Sequence, residues 1–178
     1  MRTLWMGLLG LFASVIGVAS TAAQAATANG PYYATPSWDQ KLDPATRFIV
    51  LANWGSQAVL DRETGLVWEQ SPGSATHSWH FAYAHCVQKS IGNRRGWRMP
   101  TIEELTSLTD PTSGPLPAGH PFGNVLPDRY WSVSRNTQFA NSAWAVHFGT
   151  NVVLGASKDS ANLHPVWCVR GGQGYDIQ

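Results

Sequence analysis

Little of this 178-residue chain is charged: 13% of its residues are Asp, Glu, Lys or Arg, and twelve basic side chains stand against eleven acidic ones. So even a balance argues against a general electrostatic nucleic-acid binder, which carries a clear basic excess. Cysteine is sparse too. Cys86 and Cys168 stand alone, so no Cys-x-x-Cys redox pair and no cysteine-based zinc spacing can be written. There is no Gly-x-Ser-x-Gly elbow, His-Glu-x-x-His helix or P-loop, which removes the commonest local signatures of hydrolases and nucleotide-binding enzymes. No apolar run reaches the roughly 20 residues that a membrane helix requires.

Aromatic residues and glycine are plentiful, with nine Trp and 17 Gly. That composition suits a loop-rich fold whose core is carried by aromatic side chains. The first 25 residues read as a signal peptide: Arg2 is the basic start, residues 4–19 are apolar, and Ala23-Gln24-Ala25 is a small-residue cleavage site. No Cys follows it, so lipid attachment there is not expected. Export leaves no stable membrane span and places the two cysteines in an oxidising compartment, where the default is one disulfide and the alternative is two separate buried thiols.

Residues 26–46 hold Asn29-Gly30-Pro31, Pro36 and Asp43-Pro44 without periodicity, and read as an arm or linker that Tyr32, Tyr33 and Trp38 could pin to a domain. Residues 47–54 form a first β-rich run and 58–61 a second. Asp61-Arg62-Glu63-Thr64-Gly65 is a turn, its acids expected to be solvated, and 66–69 returns with Trp68 inward. Ser78 is placed to cap a helix reaching residue 90, with Trp79, Ala82, Tyr83, Cys86 and Val87 on its inner face. His77, His80 and His85 invite a metal, but only the first two share helical ligand spacing, and zinc takes three or four protein ligands. No metal or cofactor is expected.

Arg94, Arg95 and Arg98 form the densest basic patch. Their planar donor forks suit a sulfate, phosphate or carboxylate. Arg98 reads as architectural, Arg94 and Arg95 as candidate ligand contacts. Pro100 then forces Met99 out of helical geometry, and Thr101 with Glu104 makes a capping box for a helix over 102–109, with Ile102, Leu105 and Leu108 on one face. Five prolines, with Gly114, Gly119 and Gly123, make 110–128 a long irregular loop whose polar residues are His120, Asp128 and Arg129. Strands follow at 130–134, 143–148, 152–154 and 166–170. In the second of these, Trp144, Val146 and Phe148 share one face, while His147 lies with Ala143 and Ala145 on a small-residue face and reads as a sheet-surface histidine. The whole reads as an α+β domain, an antiparallel meander carrying two helices.

Several of these pieces recur in one order: the Asp61–Gly65 turn leading to Leu66-Val67-Trp68, the helix that carries Cys86, Gly96-Trp97-Arg98-Met99-Pro100-Thr101 with Glu104-Leu105, Tyr130-Trp131-Ser132, and Cys168-Val169-Arg170-Gly171. Over residues 47–172 the chain resembles the Lcl C-terminal domain family, with Met99 where the family usually has Leu. The resemblance implies a C-type-lectin-like fold in which a disulfide ties the first helix to the last strand, with Trp68, Trp97, Arg98, Pro100, Thr101 and Glu104 as structural residues. The calcium-binding triplets of sugar-binding C-type lectins are missing, as is the catalytic cysteine pair of the formylglycine-generating enzymes. The family's namesake is an adhesin whose terminal domain binds sulfated polysaccharides; its collagen-like repeats have no counterpart here.

These readings converge on a periplasmic or secreted, non-enzymatic binding module for anionic glycans or another envelope component, with residues 173–178 as a tail. The alternative is an envelope structural or protein-interaction protein that uses its aromatic N-terminal arm.

Overall fold

Glycine and proline interrupt the chain so often that its elements are short. The computed structural model describes residues 41–112 and 114–172. The expected signal segment 1–25, residues 26–40 of the arm and the tail 173–178 lie outside the described residues.

Asp43 accepts the Ala45 N–H at 2.9 Å and, with Pro44 at the first position, starts a one-turn helix α1 (Pro44–Arg47). Strand β1 (Phe48–Val50) follows. The run expected over 47–54 is a strand only in its middle. Backbone bonds from Trp54 to Leu51 and from Gly55 to Ala52 wind its end into a 3-10 turn, Ala52–Trp54. β2 (Ala58–Asp61) and β3 (Val67–Glu69) form the hairpin, with Gly65 at φ 71° and Trp68 fully buried. Asp61 departs from the solvated turn acid expected. Helix α1 carries Arg47 back over the hairpin, where its guanidinium donates to both Asp61 oxygens at 2.9 and 2.7 Å and meets Glu63 at 2.9 Å.

Helix α2 (Trp79–Gln88) begins at Ser78, whose hydroxyl makes no capping bond; only its carbonyl is engaged, by the Ala82 N–H. Trp79, Ala82 and Cys86 are buried, whereas Tyr83 and Val87, on the flank of that stripe, are exposed. The inner face is narrower than expected because α2 packs mainly against β4 (Trp97–Arg98) and β5 (Arg129–Arg135) along one line. Helix α3 (Ile102–Ser107) buries Leu105, and Leu108 just beyond it. The 110–128 loop then crosses the surface without strand or helix but sends Leu116 and Phe122 into the core.

The remaining strands are β6 (Ser142–His147), β7 (Val152–Ser157) and β8 (Val169–Arg170). They do not complete a single meander. One antiparallel sheet runs β1-β2-β3-β8-β4 and a second runs β5-β6-β7. The C-terminal strand inserts between β3 and β4, with Val169 opposite Trp68 on one side and Arg98 on the other. The architecture is α+β with antiparallel sheets. Strand β6 contributes to two apolar clusters: Ala143 and Ala145 pack with Trp79, Cys86 and Trp131, while Val146 and Phe148 pack with Trp167. Its small-residue face is therefore core, and Trp144 on the other face is only half buried. Small side chains there leave room for large aromatic neighbours. In the second cluster Trp167 has the rings of Phe122, Phe148, Trp68 and Tyr130 around it at 4.8–6.0 Å.

Cys86 and Cys168 form a disulfide with Cα atoms 5.4 Å apart, tying α2 to the residue before β8. No helix among the described residues is long and apolar enough to cross a membrane.

Candidate functional site

The scaffold beneath the basic patch is built from the Arg98–Glu104 segment. Thr101 Oγ1 accepts the Glu104 N–H at 3.2 Å, and Glu104 Oε2 returns to accept the Thr101 N–H at 2.9 Å. Arg98 grips the same carboxylate with two N–H groups at 2.8 and 2.6 Å and donates to Gly171 O at 2.7 Å. Glu104 is buried, and a paired, fully hydrogen-bonded carboxylate is the form in which burial is tolerated. Pro100, also buried, presents its carbonyl to the Val133 N–H of the other sheet. Arg98 thus has no donor fork to offer a ligand.

Between α2 and β4 the chain makes a two-residue hairpin at Ile91–Arg94. Ile91 and Arg94 exchange backbone bonds at 3.1 Å, and the central residues Gly92 and Asn93 have φ of 58° and 60°. That is a type I′ turn, the tight reversal that Gly and Asn favour. Glycine is required at 92 for a second reason: an added Cβ would lie 2.5 Å from the Cβ of Trp54. The hairpin therefore lies directly on Trp54.

Around that indole the cations collect. The Arg94 guanidinium carbon lies 4.2 Å from the Trp54 ring centroid and that of Arg170 lies 5.5 Å from it. Arg94 also donates to Gly92 O at 2.7 Å, and Arg170 Nε donates to Arg95 O at 2.9 Å, so backbone carbonyls hold both side chains in place. Arg95 is exposed beside them. Trp97 braces the patch from below, edge-on to Trp54 at 6.4 Å and donating its indole N–H to Arg94 O. Among the described residues carboxylates pair with Arg47, Lys89 and Arg98, and none pairs with Arg94, Arg95 or Arg170. Two guanidiniums over one indole, with the exposed Arg95 next to them in sequence and no carboxylate pairing any of the three, form a surface for an anion.

The other singled-out residues lie elsewhere. His77 precedes α2, so its spacing to His80 is not helical. It bridges to the His164 backbone and stacks at 4.5 Å on His85. Burial, with Lys89 and His77 adding to it, pulls the His85 imidazole down to about 4; burial, then Lys89, lowers that of His77. Both rings are thus held neutral at physiological pH. Among the described residues no three His, Cys, Asp or Glu side chains converge to hold a metal ion. In the 110–128 loop, His120 Nδ1 accepts the Phe122 N–H and its ring stacks on Phe122, beside a cavity of about 420 Å³ that reaches Phe148 and Gly149. Asp128 Oδ1 accepts the Arg129 N–H and stands 3.9 Å from His164. His147 Nδ1 accepts the Gly149 N–H at the end of its strand.

Arg94 and Arg95 belong to the patch, but two of its members escape sequence reasoning. Trp54 is 40 residues away from Arg94 and Arg170 lies 76 beyond it. The only signal for either was an arginine in the closing strand and a tryptophan beside a glycine. Neither is distinctive.

The model of the Lcl C-terminal domain family matches residues 57–170, well over half of the chain, and so the chain belongs to that family. A comparison with the curated proteins finds no match.

Proposed function

From membership of the Lcl C-terminal domain family as the premise, we propose that the chain is an exported, non-enzymatic module with a C-type-lectin-like fold that binds anionic glycans. The observation carrying this reading is the pair Arg94 and Arg170 over Trp54, with Arg95 exposed next to Arg94 and no carboxylate partner for any of them. Guanidiniums held by backbone carbonyls have already lost much of their side-chain freedom, so a sulfate or carboxylate meets donors in position. The Cys86–Cys168 bridge supports an oxidising compartment, periplasmic or extracellular.

Heparin retention measured against salt tests the proposal. The Arg95→Ala/Arg170→Ala variant should elute at lower salt than the parent while keeping a cooperative thermal unfolding transition. Elution at the parental salt concentration removes these arginines as the site.

A second reading, an envelope interaction protein, is favoured by the exposed Phe81, Tyr83 and Val87 of α2. Deleting residues 26–40, which leaves α1 and its cap in place, separates the two in pull-downs. An interaction protein that docks through its arm loses its partner, while a glycan binder keeps its ligand.

A further inference from the structure

Bordered by Ile91 of the Ile91–Arg94 hairpin is a second feature, a polar cleft of about 330 Å³ at the open end of the β2–β3 hairpin. That size is at the low end for ligand sites and suits a unit as large as one monosaccharide. Its floor is Glu69, buried, with one carboxylate oxygen paired to Lys89 and the other accepting the Cys168 N–H at 2.8 Å. Because the only buried charge is already compensated, the cleft has no net attraction for a cation or an anion. It is a place for neutral hydrogen-bonding groups.

Two opposed glutamines determine which groups. Gln57 and Gln70 extend the β2–β3 ladder by one pair, with Gln70 N–H donating to Gln57 O at 3.0 Å. Each side-chain amide is held at one end by a distant backbone group. Gln57 Oε1 accepts the Gly92 N–H at 2.9 Å, and Gln70 Nε2 donates to Pro121 O at 2.8 Å. These bonds also define which end of each amide is oxygen and which is nitrogen. What remains for a ligand is the NH₂ of Gln57 as donor and Oε1 of Gln70 as acceptor, and no hydrogen bond among the described residues uses either. Ser56, Ser71 and Ser90 add hydroxyls around them, and Ile91 supplies one apolar wall.

A fixed donor and a fixed acceptor lining one small cleft suit a secondary amide, whose carbonyl accepts while its N–H donates. We propose that this cleft is a subsite for an N-acetylated sugar, its acetamido group held between Gln57 Nε2 and Gln70 Oε1 and its hydroxyls by the serines. This rests on the glycan-binding reading and deepens it. One hairpin contributes Ile91 to the cleft and Arg94 to the basic patch, so a chain combining acidic and N-acetylated units can engage both.

The test uses the secreted chain and three probes: the N-acetylglucosamine trisaccharide chitotriose, the glucose trisaccharide cellotriose, and an N-acetylated alanine tripeptide. Titration calorimetry should detect chitotriose and find cellotriose at least about tenfold weaker, the scale of one or two neutral hydrogen bonds. Gln57→Glu keeps an oxygen for Gly92 but removes the NH₂ donor. It should weaken chitotriose by about the same factor with thermal unfolding unchanged. Equal affinities for the two trisaccharides, an unaffected Gln57→Glu variant, or a peptide that binds as well as chitotriose would each overturn the assignment. Heparin binding without chitotriose binding defeats this subsite and leaves the arginine surface standing. Chitotriose binding without heparin binding does the reverse.

Discussion

Glu104 serves two neighbours at once, because the carboxylate that closes the Thr101 capping box also receives the Arg98 fork. Removing either partner has a different consequence. Thr101→Ala deletes one acceptor at a helix start and should lower stability by about 0.5–2 kcal/mol in urea unfolding. Arg98→Ala leaves a buried carboxylate unpaired and should be worse, about 3 kcal/mol, the low end for a buried pair because Arg98 is partly exposed. A second residue-scale effect belongs to His85. Its imidazole is held down at about 4 by burial, with Lys89 and His77 adding to that, so the unfolded chain takes up a proton well before the folded one does. The stability from neutral His85 is complete above about 6.5 and is lost as pH falls towards 4. Glu69, raised by burial, works in the opposite direction within the carboxylate range. Denaturation midpoints across that window should therefore fall with acidification, and His85→Asn should flatten the decline.

At the scale of elements, the segments set by local chemistry were legible and those set by distant partners were not. The capping box, the Gly65 turn and the Pro-rich loop each depend on residues within a few positions, and the structure has them where those residues lie. Tyr83 and Val87 mark the limit of periodicity. It orients a helix but does not say how wide a stripe its neighbours cover. His77 marks another, since a spacing is helical only if both residues are in the helix, and α2 starts two positions later. Arg94 and Arg95 could be picked out as neighbours in sequence, whereas Trp54 and Arg170 reach the patch only through tertiary pairing. The Ile91–Arg94 hairpin joins these levels. Gly92→Ala combines an unfavourable φ with a 2.5 Å approach to Trp54, and should destabilise by more than about 1 kcal/mol while displacing Arg94. Thermal unfolding together with Trp54 fluorescence would register both effects.

For the whole molecule, the insertion of β8 between β3 and β4 was beyond sequence reading, because a two-residue strand gives no periodicity. It means the first sheet cannot be completed until the last residues of the domain arrive. The disulfide stabilises the same closure. With a sequence separation of 82 residues it should contribute about 4.5 kcal/mol in the chain-entropy account. Reduction should lower the urea midpoint accordingly, and a Cys86→Ala/Cys168→Ala variant should match the reduced parent.

The same covalent ring also governs what a protease can do to this protein. The 110–128 loop is exposed at residues 111–112 and 118–119, which makes these the natural places for a cut, and it lies between Cys86 and Cys168. A chain nicked there should remain one particle, its halves separating on a gel only after reductant is added. The bridge thus turns a break in the backbone into a wound that the fold survives.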